Sequence, residues 1–203
     1  MIIRKTYSKI RLLFLIIKFK YKIRKNKKIK LIIGASGTHQ KNWIDSDQQY
    51  LDILKLSDWN RFFDPNSIDA ILAEHVWEHL TIEEALIGSK NCFKYLKKGG
   101  YLRLGVPDGF HKDKQYIDWV KVNGSGLGAD DHKVLYNYKT LSKLLENAGF
   151  KIRLLEYFDE NKNFNFKTWH PNDGMIIRSS RFDERNKFRK LSYTSIVLDA
   201  IKE

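Results

Sequence analysis

Glycines and polar side chains follow four predicted strands, each at the point where the strand ends. In an open α/β sheet, ligands bind in the crevice beyond the carboxyl ends of the strands, so these residues would meet in one place. Glycine lets the backbone approach a ligand closely, and an acid after the second strand can accept both hydroxyls of a ribose. In chain order the four groups are Gly34-Ala35-Ser36-Gly37, Asp47, Glu74-His75 and Asp108 to His111.

A second set of candidate residues lies in the glycine-rich stretch 124–133, which contains Asp131 and His132 near its end. A histidine with a pKa near neutrality can remove a proton from a hydroxyl group, and a neighbouring carboxylate can orient it. We therefore predict that His132 is a general base supported by Asp131. The alternative pair is His111 with Asp108, and the alternative interpretation of the stretch is an exposed loop without a chemical role.

The pattern His75-x-x-Glu78-His79 also occurs in zinc peptidases, where two histidines one helical turn apart bind zinc and the glutamate activates water. Here the pattern directly follows a predicted strand, and no downstream acid stands out as a third ligand. Cys92 is the single cysteine, so no cysteine pair can hold a structural metal. The sequence predicts no metal site; zinc-dependent hydrolysis, or simple capping of the next helix, are the alternatives for this pattern.

Short apolar runs alternate with helical patterns along most of the chain. A helix is expected from Thr81, where Glu84 completes a capping box, to Gly99-Gly100, and another from about Thr140 to Asn147. The last two strands are joined without a helix. We therefore predict an α/β fold with a doubly wound, mostly parallel sheet and a C-terminal antiparallel β-hairpin. The predicted strands cover residues 28–34, 42–47, 69–74, 101–106, 150–157 and 193–200.

The basic charge of the chain is concentrated at its beginning. The 203 residues carry a net charge of +13, and residues 1–30 hold twelve Lys and Arg but no Asp or Glu. Residues 31–203 therefore carry 25 basic and 24 acidic side chains. This neutral body disfavours a nucleic-acid-binding domain, which needs many phosphate contacts. Residues 178–185, which include several arginines, are either a second substrate loop or a solvated charged face.

Residues 1–28 are predicted to form a basic amphipathic helix that precedes a domain of residues 29–203. The apolar run 12–17 is too short to cross a bilayer or to serve as a secretory signal. We predict a cytoplasmic protein whose helix either binds an anionic membrane peripherally at its inner face or packs on the domain. The apolar stripe of the helix comprises Ile3, Tyr7, Ile10, Phe14, Ile17 and Tyr21.

Four segments resemble the class I S-adenosylmethionine-dependent methyltransferases. The third and fourth segments are the most specific, because many family members carry His-x-x-Glu-His after the fourth core strand and a leucine-lysine-proline-glycine-glycine turn before the fifth. The resemblance implies the Rossmann-like methyltransferase fold and S-adenosylmethionine as the cofactor. In this sequence the segments are residues 31–37 (LIIGASG), 43–47 (WIDSD), 66–80 (NSIDAILAEHVWEHL) and 95–108 (YLKKGGYLRLGVPD).

The resemblance also implies methyl transfer. The neutral body and the basic N-terminal helix favour a small polar acceptor, such as a sugar of a surface polysaccharide. The chain departs from the family in its first loop, and only 35 residues separate Gly34 from Asp69, so the first helix and third strand of the family must be shortened. A non-catalytic binding protein with a degenerate methyltransferase fold is therefore the alternative. The implied cofactor contacts are Gly34, Ala35 and Gly37 for the methionine part, Asp47 for the ribose, Asp58 for the adenine amine, and Glu74 and His75 beside the sulfonium.

Overall fold

The computed structural model describes the backbone of residues 2–189 and 191–203 and the side chains of residues 10–186 and 191–203. The helices are α1 (Ile2–Lys25), α2 (Leu56–Phe62), α3 (Ile82–Tyr95), α4 (Lys114–Val120) and α5 (Tyr138–Asn147). The strands are β1 (Lys30–Ile33), β2 (Ile44–Asp45), β3 (Ile68–Glu74), β4 (Leu96–Pro107), β5 (Lys151–Phe158), β6 (Phe164–Phe166) and β7 (Ser195–Ile201).

The seven strands form one sheet in the order β2-β1-β3-β4-β7-β5-β6. The pairs β2-β1, β1-β3 and β3-β4 are parallel, whereas β7 runs antiparallel between β4 and β5. The predicted α/β sheet with an antiparallel C-terminal end is therefore confirmed. Helices α2 and α4 are not predicted from the sequence, nor is the three-residue strand β6, which pairs with β5.

The region between β1 and β3 is shortened, as the sequence predicts. Residues 34–43 join β1 to β2 through turns and contain no α-helix. Between β2 and β3 the chain contains the short helix α2 and no further strand. The parallel half of the sheet therefore ends at β2, a strand of two residues.

Helix α3 begins where the sequence predicts and ends earlier. Thr81 Oγ1 accepts a hydrogen bond from the Glu84 backbone N–H, and Glu84 Oε2 accepts one from the Thr81 backbone N–H, so the capping box is confirmed. The predicted end at Gly99-Gly100 is wrong, because Leu96 is already extended and begins β4. Gly99 has a φ of +77°, and the glycine pair lies where the pairing of β4 with β3 shifts register, between Leu96 and Tyr101.

The two faces of the sheet are covered differently. Side chains of α1, α2, α3 and α5 pack on one face in a single apolar cluster. The other face is covered by the irregular segment that contains Trp169, Ile176 and Phe182, and no residue of the described α-helices belongs to that cluster. A Cβ on Gly105 would lie 2.8 Å from Ile176 Cγ2, so glycine allows this segment to reach β4. In a doubly wound sheet, helices pack on both faces. Here the described helices α1, α2, α3 and α5 pack on one face, and the irregular segment covers the other.

Helix α1 packs on the domain through an apolar face that the sequence analysis did not identify. Phe19 on this face is 2% exposed. Its ring centroid lies 5.0, 4.9 and 6.1 Å from those of Tyr50, Phe62 and Phe63. Leu12, Leu15, Ile16 and Ile23 also pack against the core. The helix therefore packs on the domain, which is one of the two predicted alternatives.

The predicted apolar stripe lies on the exposed side of α1. Ile10, Phe14, Ile17 and Tyr21 are 57–66% exposed, and Leu13 beside them is 59% exposed. The side chains of the other two predicted stripe residues, Ile3 and Tyr7, lie outside the described residues. No helix in the described part of the chain is long and apolar enough to cross a membrane. Helix α1 thus has one apolar face on the domain and another in solvent.

Candidate functional site

Three cavities that share residues lie at the carboxyl ends of β1 and β3. Their volumes are about 620, 360 and 250 Å³. The first and second cavities share Gly34 and Ser36, and the first and third share Leu127 and His132. His75 lines all three cavities, so this residue marks the place where they meet.

The predicted turn after β1 borders the largest cavity. Gly34 has a φ of +62°, a conformation that favours glycine, and an added Cβ would lie 2.7 Å from Val76 Cγ2. Glycine is therefore required for the end of β1 to approach the chain that follows β3. Ala35 lines the same cavity, whereas Gly37, with a φ of +89°, is not among the residues that line it.

The structure does not bring the two predicted nucleoside-binding acids to the cavities. Asp47 Oδ1 accepts a hydrogen bond of 2.9 Å from the Gln49 backbone N–H, and Asp58 Oδ2 accepts one of 3.0 Å from the Asp52 backbone N–H. Both carboxylates therefore stabilise local turns. Gln48 and Asp52 line the second cavity in their place. The sequence signal for Gln48 is that it directly follows Asp47, the acid predicted to bind the ribose.

Glu74 lines the largest cavity, as predicted, but its carboxylate already has partners. It accepts hydrogen bonds from the backbone N–H groups of Ile177 (3.1 Å) and Arg178 (2.6 Å). These bonds attach the segment 177–185 to the end of β3. The role of Glu74 that the geometry supports is therefore to position the outer wall of the cavity.

His75 and Glu78 form a buried pair below the place where the cavities meet. His75 Nδ1 lies 3.0 Å from Glu78 Oε1, and His75 Nε2 lies 3.1 Å from Ser195 Oγ. Burial by itself raises the pKa of the Glu78 carboxyl, but the neighbouring His75 and His79 outweigh burial and hold the pKa below its ordinary value.

The pattern His75-x-x-Glu78-His79 does not lie on an α-helix. His75 has a φ of +52°, and only Trp77–His79 form a short 3-10 helix. The zinc-peptidase arrangement needs both histidines on successive turns of one α-helix. That geometry is absent from this segment, so the structure gives the zinc-hydrolase alternative no basis.

His132 lines the first and third cavities, but Asp131 does not support it. His132 Nδ1 lies 2.7 Å from the Val120 carbonyl oxygen, which can only accept, so Nδ1 carries the proton and Nε2 keeps a lone pair. Asp131 instead accepts a hydrogen bond from Lys133 Nζ and lies 3.5 Å from His79 Nδ1. The predicted pairing of Asp131 with His132 is therefore wrong, because a backbone carbonyl orients the imidazole.

The alternative pair, Asp108 and His111, is part of the core and lines none of the three cavities. The Asp108 carboxylate accepts hydrogen bonds from the backbone N–H groups of Phe110 (2.9 Å) and Phe158 (2.7 Å), and burial raises its pKa to about 6. The His111 ring stacks on Tyr116 at 4.0 Å, and burial lowers its pKa to about 4. The geometry does not support a catalytic role for this pair, because substrate in the cavities would not reach it.

Residues 177–185 form the outer wall of the largest cavity. Arg178 and Arg185 line the first and third cavities. Asp183 holds the Arg185 guanidinium through hydrogen bonds of 2.8 and 2.6 Å, and the guanidinium carbon lies 3.4 Å from the centre of the Tyr193 ring. The sequence predicts that residues 178–185 are either a second substrate loop or a solvated charged face. Their position on the wall of the cavity favours the substrate loop.

The sheet order, the antiparallel β7 beside β4 and the cleft after a glycine turn together define the fold of the S-adenosylmethionine-dependent methyltransferases. Among solved structures, the chain is similar to a SAM-dependent methyltransferase of Thermotoga maritima. The two chains are 14% identical and have a TM-score of 0.50, and the match covers 98% of this chain and 97% of that chain.

A second similar structure is a SAM-dependent methyltransferase of Archaeoglobus fulgidus. It is 17% identical, with a TM-score of 0.47, over 97% of this chain and 92% of that chain. No protein-family model and no curated protein matches the chain. At these identities, the similarity to the Thermotoga maritima protein shows the fold alone.

Proposed function

We propose that this protein is a methyltransferase that binds S-adenosylmethionine at the carboxyl ends of β1 and β3 and methylates a small polar acceptor. The observation that carries the proposal is the cavity of about 620 Å³ bordered by Gly34. Ligand pockets typically have volumes of about 300–1,000 Å³. Gly34 places the backbone at the end of β1 on the wall of this cavity, and its missing side chain makes room for Val76. The methyltransferase fold supports the same location.

The walls of the cavities suit the parts of this cofactor. We assign its methionine part to Gly34 and Ala35 and its sulfonium region to His75. We assign the adenosine part to the second cavity, which Gln48 and Asp52 line. The Asp52 carboxylate also accepts a hydrogen bond from the Leu54 backbone N–H and pairs with Lys55, and its remaining lone pairs can accept from a ligand. Bound S-adenosylmethionine supplies an activated methyl group. The apolar walls of the second cavity, which suit a purine ring, are Leu51, Ile53, Leu54, Val76 and Leu80.

The third cavity supports a polar, ring-shaped acceptor. Trp119 provides an exposed aromatic face, and the guanidinium group of Arg178 can bind carboxylate or phosphate oxygens. Arg185 covers the Tyr193 ring and is itself paired with Asp183, so these residues form the wall of the cavity. We therefore extend the proposal to a sugar that carries an acidic group, such as a sugar of a surface polysaccharide. These residues would hold the acceptor so that its nucleophilic atom points toward His75.

His132 offers the acceptor an unprotonated ring nitrogen. A general base would use the Nε2 lone pair to remove the hydroxyl proton, and a metal ligand would use the same lone pair. The predicted role of His132 as the base stays a prediction. The alternative function, a binding protein that has lost methyl transfer, would use the same cavities without this chemistry.

Calorimetric titration of the full chain with S-adenosylmethionine and S-adenosylhomocysteine tests the proposal. We expect binding of both, with an increase in melting temperature because the ligand binds the native state. Asp52→Asn should weaken binding about tenfold, since one hydrogen bond to a charged group contributes about 1.5 kcal/mol. Asp47→Asn is the matched control and should leave the affinity unchanged, because Asp47 lines none of the cavities.

The outcomes separate the candidate functions. Absence of binding for both molecules would reject the methyltransferase. Binding of the cofactor without turnover of any polar acceptor would favour the non-catalytic alternative. Loss of affinity in Asp47→Asn but not in Asp52→Asn would restore the ribose assignment that the family resemblance implies.

We also propose that α1 binds an anionic membrane surface, with the protein in the cytoplasm and peripheral at the inner face. Among the side chains of α1 that the structure describes, five apolar ones are exposed, from Ile10 to Tyr21. Exposed basic residues on the same helix complement anionic headgroups, while the apolar groups can enter the interface. These basic residues are Arg11, Lys18, Lys20, Arg24 and Lys25.

Sedimentation with vesicles that contain phosphatidylserine tests the membrane proposal. Phe14→Ser combined with Ile17→Ser should reduce binding, and high salt should release the parent protein. The matched control is Ile82→Ser with Ile87→Ser, because these α3 residues are 48% and 47% exposed. Equal binding of both double variants would contradict a role for α1, and equal binding to neutral vesicles would contradict the electrostatic part.

A further inference from the structure

Glu78, His79 and His132 come together beside the place where the cavities meet. One ligand atom from each residue lies within 4.8 Å of the other two. The backbone N–H groups of Lys133 and Val134 donate to the Glu78 carbonyl at 2.7 and 3.2 Å, which holds the loop of His132 against the chain after β3. His132 is distant in sequence from Glu78 and His79. Spacing along the chain does not reveal this group of ligands, so the sequence predicts no metal site.

The Glu78 carboxylate is buried without the donors that a buried anion needs. Its side chain is 0% exposed, and neither oxygen has a hydrogen-bond partner among the described residues. His75 Nδ1 approaches Oε1 to 3.0 Å, but the contact does not have the geometry of a hydrogen bond. Burying a carboxyl group without hydrogen-bond partners is unfavourable in either protonation state. A cation between Glu78 and the histidines would remove this penalty.

Both histidines of the group are oriented as metal-binding histidines are. A metal-binding imidazole usually donates its other N–H to a carbonyl or carboxylate, which fixes the ring and its tautomer. His132 Nδ1 donates to the Val120 carbonyl, and His79 Nδ1 lies 3.5 Å from Asp131 Oδ2. The ring centroids of His79 and His132 are 4.8 Å apart at an interplanar angle of 78°. In the neutral ring, His132 therefore keeps Nε2 for an ion, and His79 has a carboxylate near its Nδ1.

We propose that Glu78, His79 and His132 bind one divalent transition metal ion, such as Mn²⁺, Fe²⁺, Co²⁺ or Zn²⁺. Two imidazoles and one carboxylate suit these ions better than Mg²⁺ or Ca²⁺, which prefer oxygen ligands. His79 and His132 both line the largest cavity, so the remaining coordination positions face the space proposed for the substrates. In this arrangement His132 is a ligand of the ion rather than a free base.

The ion would bind an oxygen of the acceptor, and this part of the inference rests on the proposed function. Coordination lowers the pKa of a hydroxyl, so its proton can pass to water without a protein base. The oxygen then forms a bond to the methyl carbon as the bond between sulfur and carbon breaks, which releases S-adenosylhomocysteine. The proposed acceptor therefore carries a hydroxyl group or a pair of neighbouring oxygens.

Titration of the chelator-treated full chain with Co²⁺ and Zn²⁺ tests the site without any cofactor. We expect one ion per chain, a Co²⁺ visible absorption spectrum of mixed nitrogen and oxygen ligands, and an increase in melting temperature. Glu78→Gln and His132→Asn should each weaken binding about 100-fold or more, since even outer partners of ligands contribute about 10–100-fold. Asp131→Asn should weaken binding about tenfold for the same reason.

His39→Asn is the control, because His39 is an exposed histidine whose Nδ1 contacts Asp45 and which lines none of the cavities. Unchanged binding in this variant supports the assigned site. If Glu78→Gln does not fold, His132→Asn still decides. Absence of stoichiometric binding, or parental affinity in His132→Asn, would overturn the metal site. Cofactor titration in the presence of chelator tests the proposed function separately, so either proposal can fail while the other stands.

Discussion

Two groups that pair an acid with histidine lie in the interior of this protein, and they differ in how the acid is satisfied. Asp108 accepts two backbone hydrogen bonds and lies beside His111 in the core. Glu78 accepts none from the described residues and lies between histidines that border the cavities. Both groups follow the carboxyl end of a strand. Position after a strand therefore does not distinguish an acid that stabilises the fold from one that binds a ligand.

The largest difference between the two groups should appear in stability. Asp108→Ala removes the acceptor of the Phe110 and Phe158 backbone N–H groups. Each buried donor left without a partner costs about 1–3 kcal/mol, so we expect the free energy of unfolding to fall by about 4 kcal/mol. Urea unfolding of the variant and the parent measures this change. A loss below about 1 kcal/mol would remove the distinction between the two acids.

The pH dependence of stability tests the buried state of His111. Burial holds its pKa at about 4 in the folded protein, against about 6.5 in the unfolded chain. Between these values the unfolded chain binds more protons, so the contribution of His111 to stability increases as pH rises from 4 to 6.5. We expect the unfolding free energy of the parent, relative to that of His111→Phe, to increase by about 2 kcal/mol from pH 4 to 7.

The difference in unfolding free energy between the parent and His111→Phe isolates the contribution of the histidine. The pKa of Asp108 is raised to about 6, which gives the opposite pH dependence in the same range, but Asp108 is present in both proteins and cancels. A difference that does not vary with pH would show that His111 titrates normally and reaches solvent. In that case Asp108 and His111 would again be candidates for the general base and its supporting acid.

The smallest effect is expected for Glu78→Gln in the presence of a chelator. The substitution keeps the shape of the side chain and replaces a buried anion that lacks hydrogen-bond donors with a neutral amide. Neither Glu78 oxygen has a hydrogen-bond partner to lose, so the free energy of unfolding should change by less than about 1 kcal/mol or increase. Urea unfolding alongside Asp108→Ala provides the measurement. A loss as large as that of Asp108→Ala would place Glu78 among the acids that stabilise the fold.

Features that depend on neighbouring residues could be predicted from the sequence. The capping box of Thr81 and Glu84 involves residues three positions apart, and the conformation of Gly34 follows from a strand that ends in a tight turn. The buried strands could be recognised because their apolar runs are local. Even so, Gly99-Gly100 suggested the wrong helix end, because a glycine pair is equally suited to a turn inside β4.

Features that depend on distant residues could not be predicted. The partner of His132 is the carbonyl of Val120, which no side-chain pattern reveals, whereas Asp131 is adjacent in sequence and turns away. The sequence predicts Asp47 as the ribose ligand because this acid directly follows the second strand, and it contains no signal for Asp52. The sequence predicts one apolar stripe on α1 and not the second face around Phe19, because the residues that contact Phe19 come from later parts of the chain.

The position of β7 has a kinetic consequence. Tyr101 of β4 pairs with Ile201, and Lys151 of β5 pairs with the same residue, so the sheet joins β4 to β5 only through a strand made much later. During synthesis, the parallel half can assemble while β4 still presents an unpaired edge. Contacts between distant residues slow folding. A ribosome-bound chain halted before residue 195 should therefore expose the edge of β4 to chaperones and to other unfinished chains.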